Sequence, residues 1–367
     1  MSKKEVYILG IRGVPAEHGG FETFAEILAL YLVEKGWEVT VFCQTENFET
    51  GYQNEYKSVK RFFINAKDTS LGTIFFDFKS VYYSLKNKKL CLTLGYNTAI
   101  FNILHRLWGV KNVINMDGIE WKRSKWSRPV KIWFYINERI AGLVGNELIA
   151  DHPEIKNYLA TKYREDKITM IPYGGYLNKE SDANLISKYA VEPNDYLTII
   201  ARPEPENSFF EIVSAFSAKP RGVKLLVFGK FTDKNPYHVK VKSAASEEVI
   251  FAGVEYDKPT LQALRTYSRF YIHGHQVGGT NPSLVEALSM GNAIIAHDNK
   301  FNRWVAADAA LYFSSTEELT QLFDDNLDNV EQISYLQSNA KQQEEKFFQW
   351  QSILDDYESI LLKSLES

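Results

Sequence analysis

Three short stretches carry residues whose types and spacing can do chemistry. The first is GGTNPSLVEALSMG, residues 278–291. The N–H groups around Gly279, Thr280 and Asn281 would face an anion at the start of a helix. Pro282 suits the first helical position, where its missing N–H costs nothing. Glu286 follows about one turn further in, among Leu284, Val285, Ala287 and Leu288. An unpaired charge in such company is costly, so the expected partner is the hydroxyl pair of a ribose whose diphosphate sits at the helix mouth. The alternative is a carboxylate that only complements the helix dipole. The second stretch is ARPEPEN, residues 201–207, where Arg202 directly follows a strand and can fork onto a diphosphate. A surface Arg on a Pro-rich loop is the plainer account. The third is GIRGVPAEHGGFETF, residues 10–24. There Gly19 and Gly20, just before a helix, let backbone N–H groups approach an anion or a sugar, though a βα turn needing only flexible residues explains them equally well.

Further candidates stand at other strand ends. Asp117 and Glu120 follow the strand NVINMDG and are the polar residues available for catalysis; Asp117, at the carboxyl end, is the better placed to orient a substrate hydroxyl. Capping a short helix is its structural alternative. His273 and His275, at a strand end, line a ligand pocket or serve the fold. In WKRSKWSRPVKIWFYINERI, residues 121–140, Lys122, Arg123 and Lys125 interleave with Trp121, Trp126 and Trp133. That mixture suits the headgroup region of an anionic membrane. It also fits aromatics packed under lysine stems, or a nucleic-acid surface, which the net charge of −4 and the lack of a binding fold disfavour. No DxD sits at a strand end; Asp324 and Asp325 read as a solvated face. Cys43 and Cys91 lie in apolar runs without metal-ligand spacing. Neither a metal nor a cofactor is expected.

The elements that must position these residues alternate strand and helix. EVYILG, WEVTVFCQ, LCLTLG and NVINMDG read as strands, with helices at FETFAEILALYLVEKG and around 75–87. The pattern resumes with YLTIIARPEP, FFEIVSAF, VKLLVFGK, EVIFAG, TLQALRTY, RFYIHGH and NAIIAHD. Such alternation predicts α/β architecture with parallel sheets covered on both faces. It runs twice, with a polar linker at 171–195 between, and 367 residues exceed one comfortable core. Two facing Rossmann-like, doubly wound domains are therefore expected, with ligands at the carboxyl ends of the strands. No stretch approaches the ~18 apolar residues of a membrane span, and the apolar run near the N-terminus is too short for a signal peptide. The expected location is cytoplasmic, peripheral at the inner face of the membrane.

In their order along the chain, the Gly-Gly loop at 19–20, IPYGG (171–175), ARPEPEN and PSLVEALSMGNAIIA (282–296) resemble the retaining glycosyltransferases of family 4. That resemblance implies the GT-B fold, with an N-terminal acceptor domain over 1–178 and a donor domain over 179–346. FQWQSILDDYESI (348–360) resembles the family's last helix, which returns to the N-terminal domain, here over 347–367. GIRGVPAEHGGFETF, DGIEWKRSKW and HGHQVGGTNPSL resemble a narrower branch: bacterial rhamnosyltransferases of capsule, O-antigen and cell-wall rhamnan synthesis. The branch implies transfer of L-rhamnose from dTDP-β-L-rhamnose, with retention and without metal, onto a lipid-pyrophosphate-linked sugar, as a β-1,4 bond to GlcNAc or Glc. It also implies contact with the cytoplasmic membrane face and no nucleic-acid partner. Asn207 stands where the family's basic diphosphate partner usually falls. Gly278 stands where the family's first carboxylate of a Glu–x7–Glu pair would be. The alternatives are a UDP- or GDP-hexose donor and a GT-B nucleotide-sugar epimerase.

Overall fold

The structure, a computed structural model, describes residues 3–17, 19–123, 125–176 and 179–366. It divides into two compact units, Met1–Pro172 with Gln351–Ser367, and Tyr173–Trp350. The boundary expected at 178 falls at Leu177 and Asn178, outside the described residues.

The first unit holds a sheet of β1 (Glu5–Leu9), β2 (Glu38–Thr45), β3 (Gln53–Tyr56), β4 (Val59–Asn65), β5 (Leu90–Leu94), β6 (Asn112–Asn115), β7 (Glu147–Ala150) and β8 (Ile168–Met170). Their order is β3-β4-β2-β1-β5-β6-β7-β8, parallel except for the β3–β4 hairpin. Around it run α1 (Gly19–Glu34), α2 (Ser70–Ser84), α3 (Ile103–Trp108), α4 (Arg128–Val144) and α5 (Pro153–Ala160). The helix expected around 75–87 starts five residues earlier. Thr69 caps it by accepting from the Gly72 N–H, a start signal that apolar periodicity does not contain.

The second unit is a six-stranded, all-parallel sheet in the order β11-β10-β9-β12-β13-β14. Its strands are β9 (Tyr196–Ile200), β10 (Lys224–Phe228), β11 (Val249–Gly253), β12 (Phe270–His273), β13 (Ile294–His297) and β14 (Ala310–Phe313). Its helices are α6 (Phe209–Phe216), α7 (Pro236–Ser243), α8 (Lys258–Thr266), α9 (Pro282–Ser289), α10 (Lys300–Ala306), α11 (Thr316–Asn326) and α12 (Val330–Phe347). Strand alternation divides the core in two. Leu197, Ile199, Phe270 and Ile272 pack on α6 and α11, whereas Tyr271 and Ile294 meet Leu284, Val285 and Leu288 of α9. Both faces are buried, as a doubly wound parallel sheet requires.

The last helix, α13 (Trp350–Glu366), belongs to the first unit from its second residue onward. Three polar anchors fix it there: Tyr31 Oη donates to Asp355 at 2.5 Å, Trp37 Nε1 to Glu358 at 2.9 Å, and Asn115 Nδ2 to Tyr357 Oη at 2.8 Å. Each unit is thus Rossmann-like, and the chain has the GT-B fold with its C-terminal helix on the N-terminal unit.

Candidate functional site

In the second unit the expected residues gather at the carboxyl ends of β9 and β12. Asn281 caps α9, its Oδ1 accepting from Ser283 N at 3.0 Å, with Pro282 at the first helical position. Its side-chain oxygen is therefore spent on the helix. Ser283 Oγ donates to the carbonyl of Ile200 at 3.2 Å and lies 2.5 Å from Tyr271 Oη. These contacts pin the mouth of α9 to the end of β9, two residues before Arg202. Arg202 is exposed there and makes no ion pair among the described residues. Gly279, at φ 125°, takes a backbone conformation that a side chain would strain. Thr280 is buried beside it.

Glu286 is not the lone carboxylate that its sequence neighbours imply. Arg265 of α8, fully buried, donates from Nη2 to Glu286 Oε2 at 2.7 Å and to Ser283 Oγ at 3.0 Å, and from Nη1 to Tyr176 Oη at 2.8 Å. Burial, the largest influence, opposes the guanidinium charge; the Tyr176, Glu286 and Tyr271 oxygens outweigh it and raise the Arg265 pKa. Sequence reading missed Arg265, which lies in the helix TLQALRTY far from any motif. A charged residue amid apolar helix positions was the one available signal. The Glu286 side chain keeps 27% exposure, so one side of the carboxylate rests on Arg265 while the other is open to a ligand.

Two further expectations change. Asn207 is buried, its Oδ1 lying 2.6 Å from His275 Nδ1 and its Nδ2 donating to the Arg202 carbonyl at 2.8 Å. It stitches the two strand-end loops together and does not face a diphosphate. His275 shares that stitch through its carbonyl, which accepts from Asn299 and Asn302. His273, in contrast, is buried with Nε2 unpartnered. Burial, then the nearby His275, Arg265 and His297, depress its pKa well below the usual value, so it offers a neutral imidazole. At Gly278 a Cβ would run into the Phe301 ring, so a side chain there would need that ring to move.

In the first unit, Asp117 follows β6 with φ 49°, a left-handed conformation that Asp tolerates better than most residues. Its N–H donates to Asn115 Oδ1 at 2.9 Å, and Asn115 is held in turn by Tyr357 of α13. Burial above all, and then Glu120, push its carboxyl up to about 6. Asp117 caps nothing: the following 3-10 turn, Glu120–Lys122, starts from Ile119 without a side-chain cap. Glu120 is engaged on both oxygens, by Arg123 at 2.7 Å and by Trp126 Nε1 at 3.0 Å, while Tyr96 Oη accepts from its N–H. Glu120 therefore shapes the loop rather than offering a free base, a correction to its expected catalytic role. The same contacts correct the reading of 121–134. Trp126 turns its indole N–H inward, and so does Trp133, onto the Asn97 carbonyl at 2.8 Å. Arg123 pairs with Glu120, and only Lys122 and Lys125 of that set are exposed.

Gly19 and Gly20 open α1 beside a cavity of about 400 Å³ at the ends of β1, β2 and β4. Arg12, Glu22, Gln44, Glu46, Arg61 and Asp68 line it. Arg12 pairs with Asp68 at 3.0 Å, and its N–H reaches Glu22 at 3.5 Å. This polar set of donors and acceptors suits hydroxyl groups; Arg12 and Glu22 fall in the GIRGVPAEHGGFETF stretch, whereas Gln44, Glu46, Arg61 and Asp68 were not singled out from the sequence. Cys43 borders it with a thiol pushed up to about 11 by burial. Among the described residues, no three His, Cys, Asp or Glu side chains cluster as metal ligands, and no helix is long and apolar enough to cross a membrane.

Residues 3–176 match the family model described as a domain of unknown function (DUF1972). No curated protein matches the chain by sequence. Several solved structures are similar in fold. Sucrose-phosphate synthase from Thermosynechococcus elongatus shares 14% identity at a TM-score of 0.83, covering 99% of this chain and 100% of that one. The Anabaena protein HepE in complex with UDP and glucose shares 13% at 0.76, covering 98% and 100%. A glycosyltransferase from Rickettsia africae ESF-5 shares 16% at 0.74, covering both chains completely. At such identities the likeness fixes the fold, and it extends over essentially the whole chain.

Proposed function

We propose that this protein is a glycosyltransferase that moves L-rhamnose from dTDP-β-L-rhamnose, with retention, onto a sugar carried by a lipid pyrophosphate, in bacterial surface-polysaccharide synthesis. The observation that carries the glycosyltransfer is the convergence of Arg202, the α9 mouth and the Arg265-backed Glu286 at the ends of β9 and β12. A nucleoside diphosphate fits it: Arg202 and backbone N–H groups take the diphosphate, and the open side of Glu286 takes ribose hydroxyls. Neighbours solved with UDP and glucose support a nucleotide sugar, while the choice of dTDP-rhamnose rests on the motif resemblance. The crowding of Gly278 by Phe301 favours a donor sugar that needs no carboxylate at that point.

In the reaction the bond from the sugar's anomeric carbon to the diphosphate oxygen breaks, and a bond to the acceptor hydroxyl forms on the same face. The hydroxyl proton passes to a donor phosphate oxygen. The protein's part is positioning, plus stabilisation of the leaving diphosphate by Arg202 and the α9 N–H groups. Asp117 orients the acceptor hydroxyl, and the polar cavity beside α1 holds the acceptor saccharide. Incubation with dTDP-rhamnose and a short-chain lipid-pyrophosphate saccharide tests this, with UDP- and GDP-hexoses run in parallel. Transfer from a hexose donor alone would move the donor assignment, and isomerisation of free nucleotide sugar without acceptor would indicate an epimerase instead.

A further inference from the structure

The first unit turns an apolar helical surface to solvent. In α2, Phe76, Val81 and Ser84 face the core, yet Leu71, Phe75, Phe78 and Tyr82, at helical spacing, are all exposed, Leu71 to 80%. The helix is therefore apolar on both sides, which is unusual for one that meets only water. In α3, Leu107 and Trp108 are exposed, and in α4 so are Ile132, Ile136 and Leu143, the last to 71%. The three helices are stitched around one turn, residues 97–102. Thr98 Oγ1 donates to Asp77 of α2, Phe101 packs edge-on against Phe78, and the Ile100 N–H donates to Asn137 of α4.

Charge over this region departs from the rest of the chain. Residues 69–146 hold twelve Lys and Arg against four Asp and Glu, a net +8 in a protein whose total is −4, although Lys89 is paired outside the segment with Glu5 and Glu38. None of those four acids is exposed: Asp77 and Asp117 are mostly covered, Glu120 is paired with Arg123, and Glu138 is buried against Trp121, Tyr158 and Lys162. Basic side chains lie over the apolar rings, Lys79 on Phe75 at 5.4 Å and Arg139 on Tyr135 at 5.0 Å, in the manner of stems that keep their heads in water.

We infer that the α2–α3–α4 face docks on an anionic phospholipid surface, with Leu71, Phe75, Leu107, Trp108 and Leu143 at the acyl boundary and Lys79, Lys86 and Arg106 among the headgroups. Apolar area and basic charge are the two ingredients of interfacial binding, and the exposed Asp68, which borders α2, is paired with Arg12. The inference deepens the reading of the acceptor as lipid-borne and rests on it only for its purpose. It places the insertion surface on α2 and α3, away from Trp126 and Trp133.

Vesicle flotation without any nucleotide sugar separates the two. The full chain should float with vesicles containing phosphatidylglycerol and stay behind with pure phosphatidylcholine, and added salt should release it. Lys79→Glu with Lys86→Glu should weaken binding by more than tenfold, as each charge near such a surface is worth roughly fivefold. Leu71→Ser with Phe75→Ser, both exposed and thus tolerated by the fold, should abolish flotation while leaving transfer to a water-soluble acceptor unchanged. Wild-type protein indifferent to anionic vesicles at low salt overturns the inference. So does a wild-type dimer that the serine variant converts to monomer, since the face would then be a protein interface. Failure of the glycosyltransfer reading looks different: protein that floats yet turns over no nucleotide sugar.

Discussion

Asp117→Asn should cost the protein its transfer activity and make it more stable. The Asp117 carboxyl is pushed from 3.8 to about 6, chiefly by burial. A group raised in the folded state favours folding when protonated, so its contribution is intact below about pH 4 and is lost as the pH rises through 6. Above that, the ionised carboxylate works against the fold. The interval between the two pKa values corresponds to on the order of 3 kcal/mol, and screening at the partly exposed side chain brings this to about 1–2 kcal/mol. Asparagine removes the charge, keeps the shape and tolerates the left-handed φ of 49° at least as well. Thermal melts at pH 8 should place the variant roughly 2–8 °C above wild type, with the gap closing toward pH 4. Transfer should fall by at least about 100-fold, the lower range for a lost proton-handling or orienting group, while dTDP binding by calorimetry stays nearly intact. A variant less stable than wild type at pH 8, or a gap independent of pH, would refute the electrostatic account; full activity would remove Asp117 from the site.

Glu286→Ala should weaken dTDP binding by about 1–3 kcal/mol, the range for a charge-assisted hydrogen bond to ribose, and unchanged affinity in a folded variant would remove it from the site. Glu286→Leu should also destabilise the second unit by about 3–5 kcal/mol in denaturant titration, because Arg265 is left buried without its carboxylate. Arg202→Ala should reduce affinity for dTDP far more than for thymidine, and equal losses would contradict a role at phosphate. Tyr357→Phe frees the Asn115 amide that steadies Asp117; kcat should drop while the KM for donor holds, whereas a matched rise in KM would point to the donor side.

Much of the fold was legible because a parallel sheet buried on both faces writes its strands as apolar runs. YLTII, KLLVF and FYIH need no partner to be recognised. The β3–β4 hairpin was not legible, since QNEY alternates exposed with half-buried positions at a sheet edge and carries no apolar run. The site divides in the same way. Backbone features such as the α9 mouth follow from Gly, Asn and Pro at fixed offsets. Side-chain partnerships do not: Arg265 reaches Glu286 from 21 positions earlier, and Asn115 meets Tyr357 across 242. No local spacing rule spans such separations. The outward face of α2 was hidden for a related reason, because helical periodicity marks apolar positions without telling which of two stripes meets the core.

The motifs that resemble a known family are not all ligand residues, and the IPYGG glycines show why. At Gly174 a Cβ would press into the Trp350 indole at 2.5 Å, and at Gly175 it would meet the Ser289 Cβ at 2.5 Å. Trp350 Nε1 donates to the Gly175 carbonyl at 2.5 Å, and Ser289 Oγ accepts from the Tyr176 N–H at 3.1 Å. Tyr176, so placed, accepts from Arg265, and Arg265 holds Glu286. Gly174 lets the chain pass the Trp350 indole, and Gly175 lets it lie close enough to α9 for that relay to form. A larger residue at 175 would push Tyr176 off Arg265 and slacken the carboxylate before touching any ligand. Gly175→Ala should therefore reproduce part of the dTDP affinity loss of Glu286→Ala, and the double variant should lose less than the two effects added, because both act through one carboxylate. Strict additivity would break the relay as an explanation.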